Sequence, residues 1–399
     1  MSANERLTIT DFAPPAVIGR WRMRALLVGG VFALASMVGF LIEPQQAMHS
    51  YLVAFMLALG LTLGSMAWLM VWYLTGGSWG VPIRRILEAA IATLPLLVVA
   101  WIPVAIGVHL NYAWSQSAVH EAGKAAHQAS PWLTTGGFVL RGIAYFLIWG
   151  VLAWFLLNWS NEQDNPPDRA FGTRFRGISG VGLVIYAWTL TFAVVDWVMS
   201  LTPDWTSTIY GLIFLVGQGL IALCFVTIVS HWLRAYEPMA SLLRPGNFHD
   251  YGKLILTFVM LWAYFNFSQW LIIWGTNLPE EAHWFTDRIH GGWGYVAILL
   301  IIGEFALPFC LLLSRPLKRN SGKLLWVAVW LVVMRLVDLY WHIEPVFSKG
   351  RLHFSWLDAV MPIGLIGLWL AFFFWNLARK PLVVLHDPHL RVFLEAEHE

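Results

Sequence analysis

Apolar residues fall in ten long blocks along this chain, separated by short polar and charged connections. The blocks are Met23–Ile42, Tyr51–Tyr73, Ile83–Gly107, Gly136–Leu157, Arg176–Leu201, Ser207–His231, Gly252–Trp274, Trp293–Ser314, Lys323–Trp341 and Trp356–Leu377. A helix crossing a hydrocarbon core of about 30 Å needs about 20 such residues at 1.5 Å rise each. The pattern therefore predicts an all-α integral membrane protein with about ten transmembrane helices.

Composition points the same way. The chain is 58% hydrophobic and only 12% charged, where a soluble domain carries roughly 25% charged residues. A net charge of +2 gives no reason to expect a nucleic-acid partner. The placement of charge says more. Of the 25 Lys and Arg, 19 lie in the termini and even-numbered connections. Only Lys124, Arg288, Lys349 and Arg351 lie in the odd-numbered ones. The positive-inside rule then puts both termini in the cytoplasm. The first block follows Arg20–Arg24, but Glu43-Pro44-Gln45-Gln46 makes a poor cleavage site, so it reads as a retained first helix. Many Trp residues sit near block ends (Trp72, Trp79, Trp132, Trp159, Trp274, Trp293 and Trp341) and read mostly as interfacial anchors.

Redox chemistry finds few candidate ligands. Cys224 and Cys310, both within blocks, cannot ligate a four-cysteine cluster, and no C-x-x-C-H attaches a c-type haem. Haem b needs facing histidines deep in two helices, whereas His109, His231, His249, His290 and His342 lie in loops or at block ends. The long connection Val108–Thr135 holds His109, His120 and His127 in no metal-ligand spacing and reads as a loop packed on a neighbouring protein. No redox centre, bound cofactor or metal is expected in this chain.

Ionisable groups inside the blocks are few. A charge at mid-bilayer is disfavoured by about 2.5–3.5 kcal/mol, so such residues usually face a bundle interior or a pathway. Arg141, Asp196, Arg335 and Asp338 lie toward the outer side, Glu304 near the middle and Glu88 toward the inner side. Asp358, at the very start of the last block, reads as interfacial. Arg335 and Asp338 can pair at i, i+3, and Arg84 and Glu88 at i, i+4. Asp196 has no local cation. Its partner is either Arg141 from another helix, or the group is poorly compensated and exchanges protons. Glu304 sits in Gly303-Glu304-Phe305-Ala306-Leu307-Pro308, where Pro308 cannot donate to the Glu304 carbonyl. A kink there would give a mid-membrane carboxyl a place for water. The alternative is a protonated Glu bonded to a neighbouring helix.

Asp196 and Asp338 are each followed seven residues later by proline, Pro203 and Pro345, with four blocks between the two occurrences. This echo suggests a parallel duplication. Residues 51–201 would form a first four-helix bundle and 207–341 a second, with 23–42 and 356–377 as peripheral helices.

The runs Asp196-Trp197-Val198-Met199-Ser200-Leu201-Thr202-Pro203-Asp204-Trp205, His249-Asp250-Tyr251-Gly252-Lys253-Leu254, Asn277-Leu278-Pro279-Glu280-Glu281 and Arg335-Leu336-Val337-Asp338-Leu339-Tyr340-Trp341 carry a resemblance. Over nearly the whole length the chain resembles the F subunits (ActF) of alternative complex III, the bacterial quinol:cytochrome c oxidoreductase, within the polysulfide-reductase NrfD-like membrane family. The resemblance implies two four-helix bundles plus two peripheral helices. It implies partner subunits: an NrfD-like C subunit, an iron–sulfur protein with its clusters, multihaem cytochromes carrying haem c and, in some assemblies, a terminal oxidase. It also implies menaquinol or ubiquinol as reductant and the bacterial cytoplasmic membrane, with its lipids, as location. By motif it singles out Asp196, Ser200, Lys253, Glu280, Glu281, Arg335 and Asp338.

The leading expectation is a cofactor-free subunit of an electron-transport complex that conducts protons through Asp196, Asp338, Glu304, Arg335, Arg141, Glu88, Ser200, Lys253, Glu280 and Glu281, with no catalytic residue of its own. The alternatives are a quinol site on the outer side built from Asp196, His109 and His342, a structural scaffold, and a secondary transporter. No inverted pair of broken helices speaks for the last.

Overall fold

The computed structural model describes residues 12–116, 132–164, 172–348, 351–384, 387 and 390. His120 and His127 lie outside them. No strand occurs among the described residues, and ten helices or helix pairs are long and apolar enough to cross a membrane. The protein is an all-α, multi-pass integral membrane protein.

The helices are α1 (Val17–Ile42), α2 (Pro44–Thr75), α3 (Arg84–Ile91), α4 (Leu94–Ile106), α5 (Thr135–Glu162), α6 (Gly172–Trp197), α7 (Tyr210–Leu233), α8 (Pro245–Thr276), α9 (Pro279–Ile289), α10 (Trp293–Leu300), α11 (Leu307–Leu313), α12 (Ser321–Ile343) and α13 (Leu357–Leu377). Several run one or two turns beyond the apolar blocks. Hydropathy marks only the lipid-depth part of a helix, while Pro44, Pro245 and Pro279 begin α2, α8 and α9 at first-turn positions that need no N–H donor. The helix α9 falls where the sequence reading has only a connection.

Two helices form the centre. The most apolar windows of α2 and α7 are 94% and 89% buried, against 11% for α1. α2 packs on α7, α13, α6, α3 and α4, and α7 packs on α2, α8, α12 and α6. α5 packs on α6, and α10 and α11 pack with α12 and α8. The outer faces stay apolar: Leu41, Trp188 and Tyr295 are exposed. This is the expected distribution for a bundle whose solvent is lipid.

Side-chain bonds sort the helix ends onto two faces. At one, here called proximal, the start of α3 meets the end of α5: Arg84 donates to Ser160 and Gln163. At the other, distal, the starts of α2 and α13 meet, where Gln46 and Ser50 donate to Asp358.

Two spans are interrupted, and the sequence reading anticipates only the second. The third breaks at Ala92–Thr93, where the Thr93 hydroxyl donates to Ala90 O and pairs with Thr62 of α2 at 2.7 Å. The eighth passes through a π-helical turn, Ile301–Ala306, between α10 and α11. The Leu307 N–H bonds Ile302 O, five residues back. The discontinuity predicted from Pro308 is thus a widened turn, the form such insertions commonly take.

The tryptophan expectation needs correction. Trp72, Trp293 and Trp341 are buried, and their indoles donate to Gly77 O, Ser348 Oγ and Arg288 O. Their N–H groups serve protein acceptors rather than the membrane interface.

Helices α1 and α13 cross at paired glycines. A Cβ on Gly29 would lie 2.5 Å from Leu368 N and 2.6 Å from Gly367 C, whereas one on Gly30 would meet nothing within 4 Å. Small residues let membrane helices approach this closely. Gly29→Leu should therefore destabilise the detergent-solubilised protein by about 1–3 kcal/mol in thermal unfolding, and Gly30→Leu should be tolerated. Equal effects of the two would contradict this packing.

Candidate proton-relay site

The two aspartates of the internal echo have opposite environments. Asp196, at the end of α6, is fully buried and accepts four groups. Arg141 of α5 donates from Nη2 at 2.7 Å and from Nε at 2.9 Å, Trp132 Nε1 donates at 2.8 Å, and the Tyr145 hydroxyl donates at 2.7 Å. The Arg141 guanidinium also lies over the Trp132 ring at 4.1 Å. Asp196 is therefore well compensated by another helix, and the poorly compensated reading is set aside. The Ser200 hydroxyl donates to the Asp196 carbonyl at 2.5 Å, closing the helix end rather than extending a path.

Asp338, on α12, is equally buried but only half satisfied. One oxygen accepts from Arg335, one turn earlier, as the i, i+3 spacing predicts. The other, Oδ1, makes no hydrogen bond of good geometry, although the Trp262 indole of α8, whose own N–H is also unpartnered, faces this carboxyl. It faces His342 Nε2 at 3.6 Å, too far for a good hydrogen bond, and that nitrogen is also unpartnered. The other ring nitrogen of His342 pairs with the Tyr210 hydroxyl of α7 at 3.2 Å. The Arg335 guanidinium lies over Phe214 and against Gly217, where a Cβ would come within 2.2 Å of its central carbon. Glycine at 217 is thus a steric requirement of the ion pair.

Glu304, on the π-helical turn, is the third member. It is fully buried and neither carboxyl oxygen has a partner. Asp338 and Arg335 are its electrostatic neighbours, and Cys224 of α7 is another. Trp330 of α12 donates to Gly303 O at 2.7 Å, which fixes the turn against the helix that carries Asp338. The Arg335 guanidinium is bonded to Asp338 and acts on Glu304 only through its charge. Toward the distal face Arg288 of α9 is buried, donates to His342 O and Trp284 O, and stacks on Trp284 at 3.7 Å. Burial pulls Arg288 down to about 10, which leaves it charged at neutral pH.

The other candidates separate from this cluster. Glu88 accepts from Arg84 at 2.9 Å, Arg85 at 2.6 Å and Ser160 at 2.6 Å, which includes the i, i+4 pair read from the sequence. No hydrogen bond or ion pair among the described residues links it to Glu304. Lys253 is exposed and pairs with Asp250 at 3.0 Å. Glu280 is exposed and Glu281 half-buried in the first turn of α9, where acidic residues suit the helix dipole. Among the described residues Asp196, His109 and His342 keep separate partners. His109 is exposed and bonded to Ser115 O, Asp196 is enclosed by α5 and Trp132, and His342 is buried against Tyr210 and Trp284.

One cluster is missing from the sequence reading. Asp358, at the distal end of α13, is buried against protein and accepts from Ser50 at 2.5 Å, Gln46 at 3.2 Å and Ser355 N at 2.8 Å. Gln46 also donates to Glu344 at 3.3 Å. The second Glu344 oxygen and His49 Nδ1 are buried without partners. The His49 ring stacks on Phe347, and both line a distal cavity of about 740 Å³ with Glu344, Gln46, Glu43 and His353. The start of α2 meets residues about 300 positions later in the chain, so no local pattern announces them.

The fold and this buried cluster define a multi-pass membrane protein that holds unsatisfied titratable groups between its helices. In comparisons of the chain with known proteins, no family model and no curated protein matches it. Among the described residues no group of three or more His, Cys, Asp or Glu side chains is placed to hold a metal ion.

The contrast between the aspartates predicts an ordering of stability. Asp196→Asn strips the counter-charge from a largely buried arginine and should cost on the order of 3 kcal/mol. Glu304→Gln breaks no hydrogen bond and should leave thermal stability nearly unchanged. Comparable melting of the two variants in one detergent would contradict the assignment.

Proposed function

We propose that the chain is a proton-relay subunit of a membrane redox complex, with Glu304, Asp338 and His342 passing protons between mid-membrane and the distal face. The observation that carries this reading is the set of four buried, unpartnered atoms on these three side chains: both Glu304 oxygens, Asp338 Oδ1 and His342 Nε2. Leaving buried polar atoms unpaired costs about 1–3 kcal/mol each. Such a cost is retained where the groups must change partners during function, and buried acids in membrane helices commonly serve ion pathways.

In this mechanism Arg335 holds the pair of carboxyl groups to about one net negative charge. A proton taken up by Glu304 moves to Asp338, then across the 3.6 Å gap to His342 Nε2 once a water or a small rotation closes it. His342 hands it on through Tyr210, with Arg288 fixing the His342 backbone. The sequence resemblance supports placing this chain in an alternative complex III of a bacterial cytoplasmic membrane. There quinol is oxidised by partner subunits bearing haem c and iron–sulfur clusters, and this chain carries no redox centre. The distribution of Lys and Arg supports a cytoplasmic proximal face.

Single substitutions Glu304→Gln, Asp338→Asn and His342→Phe in the assembled complex, reconstituted in vesicles, should lower the protons released per electron while quinol oxidation continues. Unchanged stoichiometry in all three variants would reject the relay.

The distal cavity favours a second reading, a quinol headgroup held by His49, Glu344 and Phe347, whose unpartnered Nδ1 and Oε2 could each bond a quinol hydroxyl. A photoactivatable quinone analogue should then label the segment around His49 or Phe347. Labelling confined to partner subunits would exclude this site.

A further inference from the structure

The proximal face holds a second built cavity, of about 370 Å³, lined by Arg85, Glu88, Asn161, Asn376, Arg379 and Lys380. It sits where α3 begins and α5 and α13 end, at headgroup depth for a protein in a bilayer. Its walls offer more donors than they use. Arg85 is 2% exposed and its Nε has no partner, and the Asn376 amide nitrogen is also buried without one. Lys380 lies among Glu88, Arg85, Asp164 and Arg379, yet no carboxylate among the described residues comes within ion-pair distance of it. Burial pulls its pKa down, against the attraction of Glu88.

The local charge is unbalanced. Arg84, Arg85, Arg379 and Lys380 face Glu88, Asp164 and Asp387. Glu88 and Asp387 are taken by Arg84, and Glu88 and Asp164 by Arg85, so among the described residues the side made by Arg379, Lys380 and Asn376 has no ion-paired carboxylate. Arg379 itself rests on the Trp375 ring at 4.5 Å.

We propose that this cavity binds a phosphate-bearing headgroup, with Lys380 and Arg379 as counter-charges and Asn376 and Arg85 Nε as hydrogen-bond donors. A phosphomonoester or phosphodiester presents several acceptor oxygens and about one or more negative charges, which meets both the missing acceptors and the missing charge. Basic pockets between membrane helices near the headgroup region are suited to anionic lipids. The inference stands apart from the proton relay, which lies in other helices.

The test uses the full chain in neutral detergent, titrated with phosphatidylglycerol and, separately, with inorganic phosphate, with binding read by native mass spectrometry and calorimetry. One phosphatidylglycerol should be retained. Lys380→Gln and the near-isosteric Asn376→Asp, which puts a negative charge into the cavity, should each weaken it about tenfold or more, and Lys380→Arg should keep it. Inorganic phosphate that binds at the same residues without any lipid preference would support the shared chemistry with a soluble anion as its source. Phosphatidylglycerol and phosphate binding that is absent, or indifferent to Lys380→Gln and Asn376→Asp in protein of unchanged elution and melting, would overturn the proposal.

Discussion

The Arg335–Asp338 ion pair, set into the notch left by Gly217, organises the centre of this molecule. Hydrocarbon offers no hydrogen bonds, so every charge between the helices must be answered by another side chain. Arg335 answers Asp338 on one oxygen only. The remaining oxygen, the His342 ring and the nearby Glu304 form a small region where charge and hydrogen-bonding capacity are not closed. Removing the arginine would leave two carboxyl groups without a counter-charge. Adding a side chain at 217 would push the guanidinium out of its seat.

The pair at Asp196 shows how the same problem is solved when no movement is needed. There an arginine from a second helix, an indole and a phenol fill the carboxylate, and a serine closes the helix end. The two aspartates hold corresponding positions in the sequence, each seven residues before a proline. One has become a fastening between α5 and α6. The other keeps spare capacity beside an interrupted helix. The π-helical turn adds to this, because a widened turn carries the Glu304 side chain inward between α8 and α12.

Much of the architecture was legible in the chain. Ten apolar blocks match ten spans, since the need for about 20 apolar residues is imposed by bilayer thickness. Pairs at i, i+3 and i, i+4 were legible too, because helix geometry places Arg335 by Asp338 and Arg84 by Glu88. The choice between satisfied and unsatisfied aspartates was not, because it depends on Tyr145, Trp132 and Arg141 arriving from elsewhere in the fold. The cluster of Gln46, Ser50, Glu344 and Asp358 was illegible for the same reason. The break at Ala92–Thr93 has a local cause in Pro95, which cannot donate to the Ile91 carbonyl, while the Thr93–Thr62 contact that seats it comes from a facing helix. Hydropathy also could not separate tryptophans at the interface from those buried by neighbouring helices, since both lie at block ends.

The central claim is that Glu304 exchanges protons with solvent although it is enclosed. Infrared difference spectroscopy on the reconstituted chain reads this without any partner subunit. The account predicts a carboxylic C=O band that is lost in Glu304→Gln, shifts after transfer into D₂O and responds when Asp338 is replaced by Asn. A Glu304 band that stays unshifted through prolonged exchange in folded protein, or no band assignable to Glu304, would contradict it.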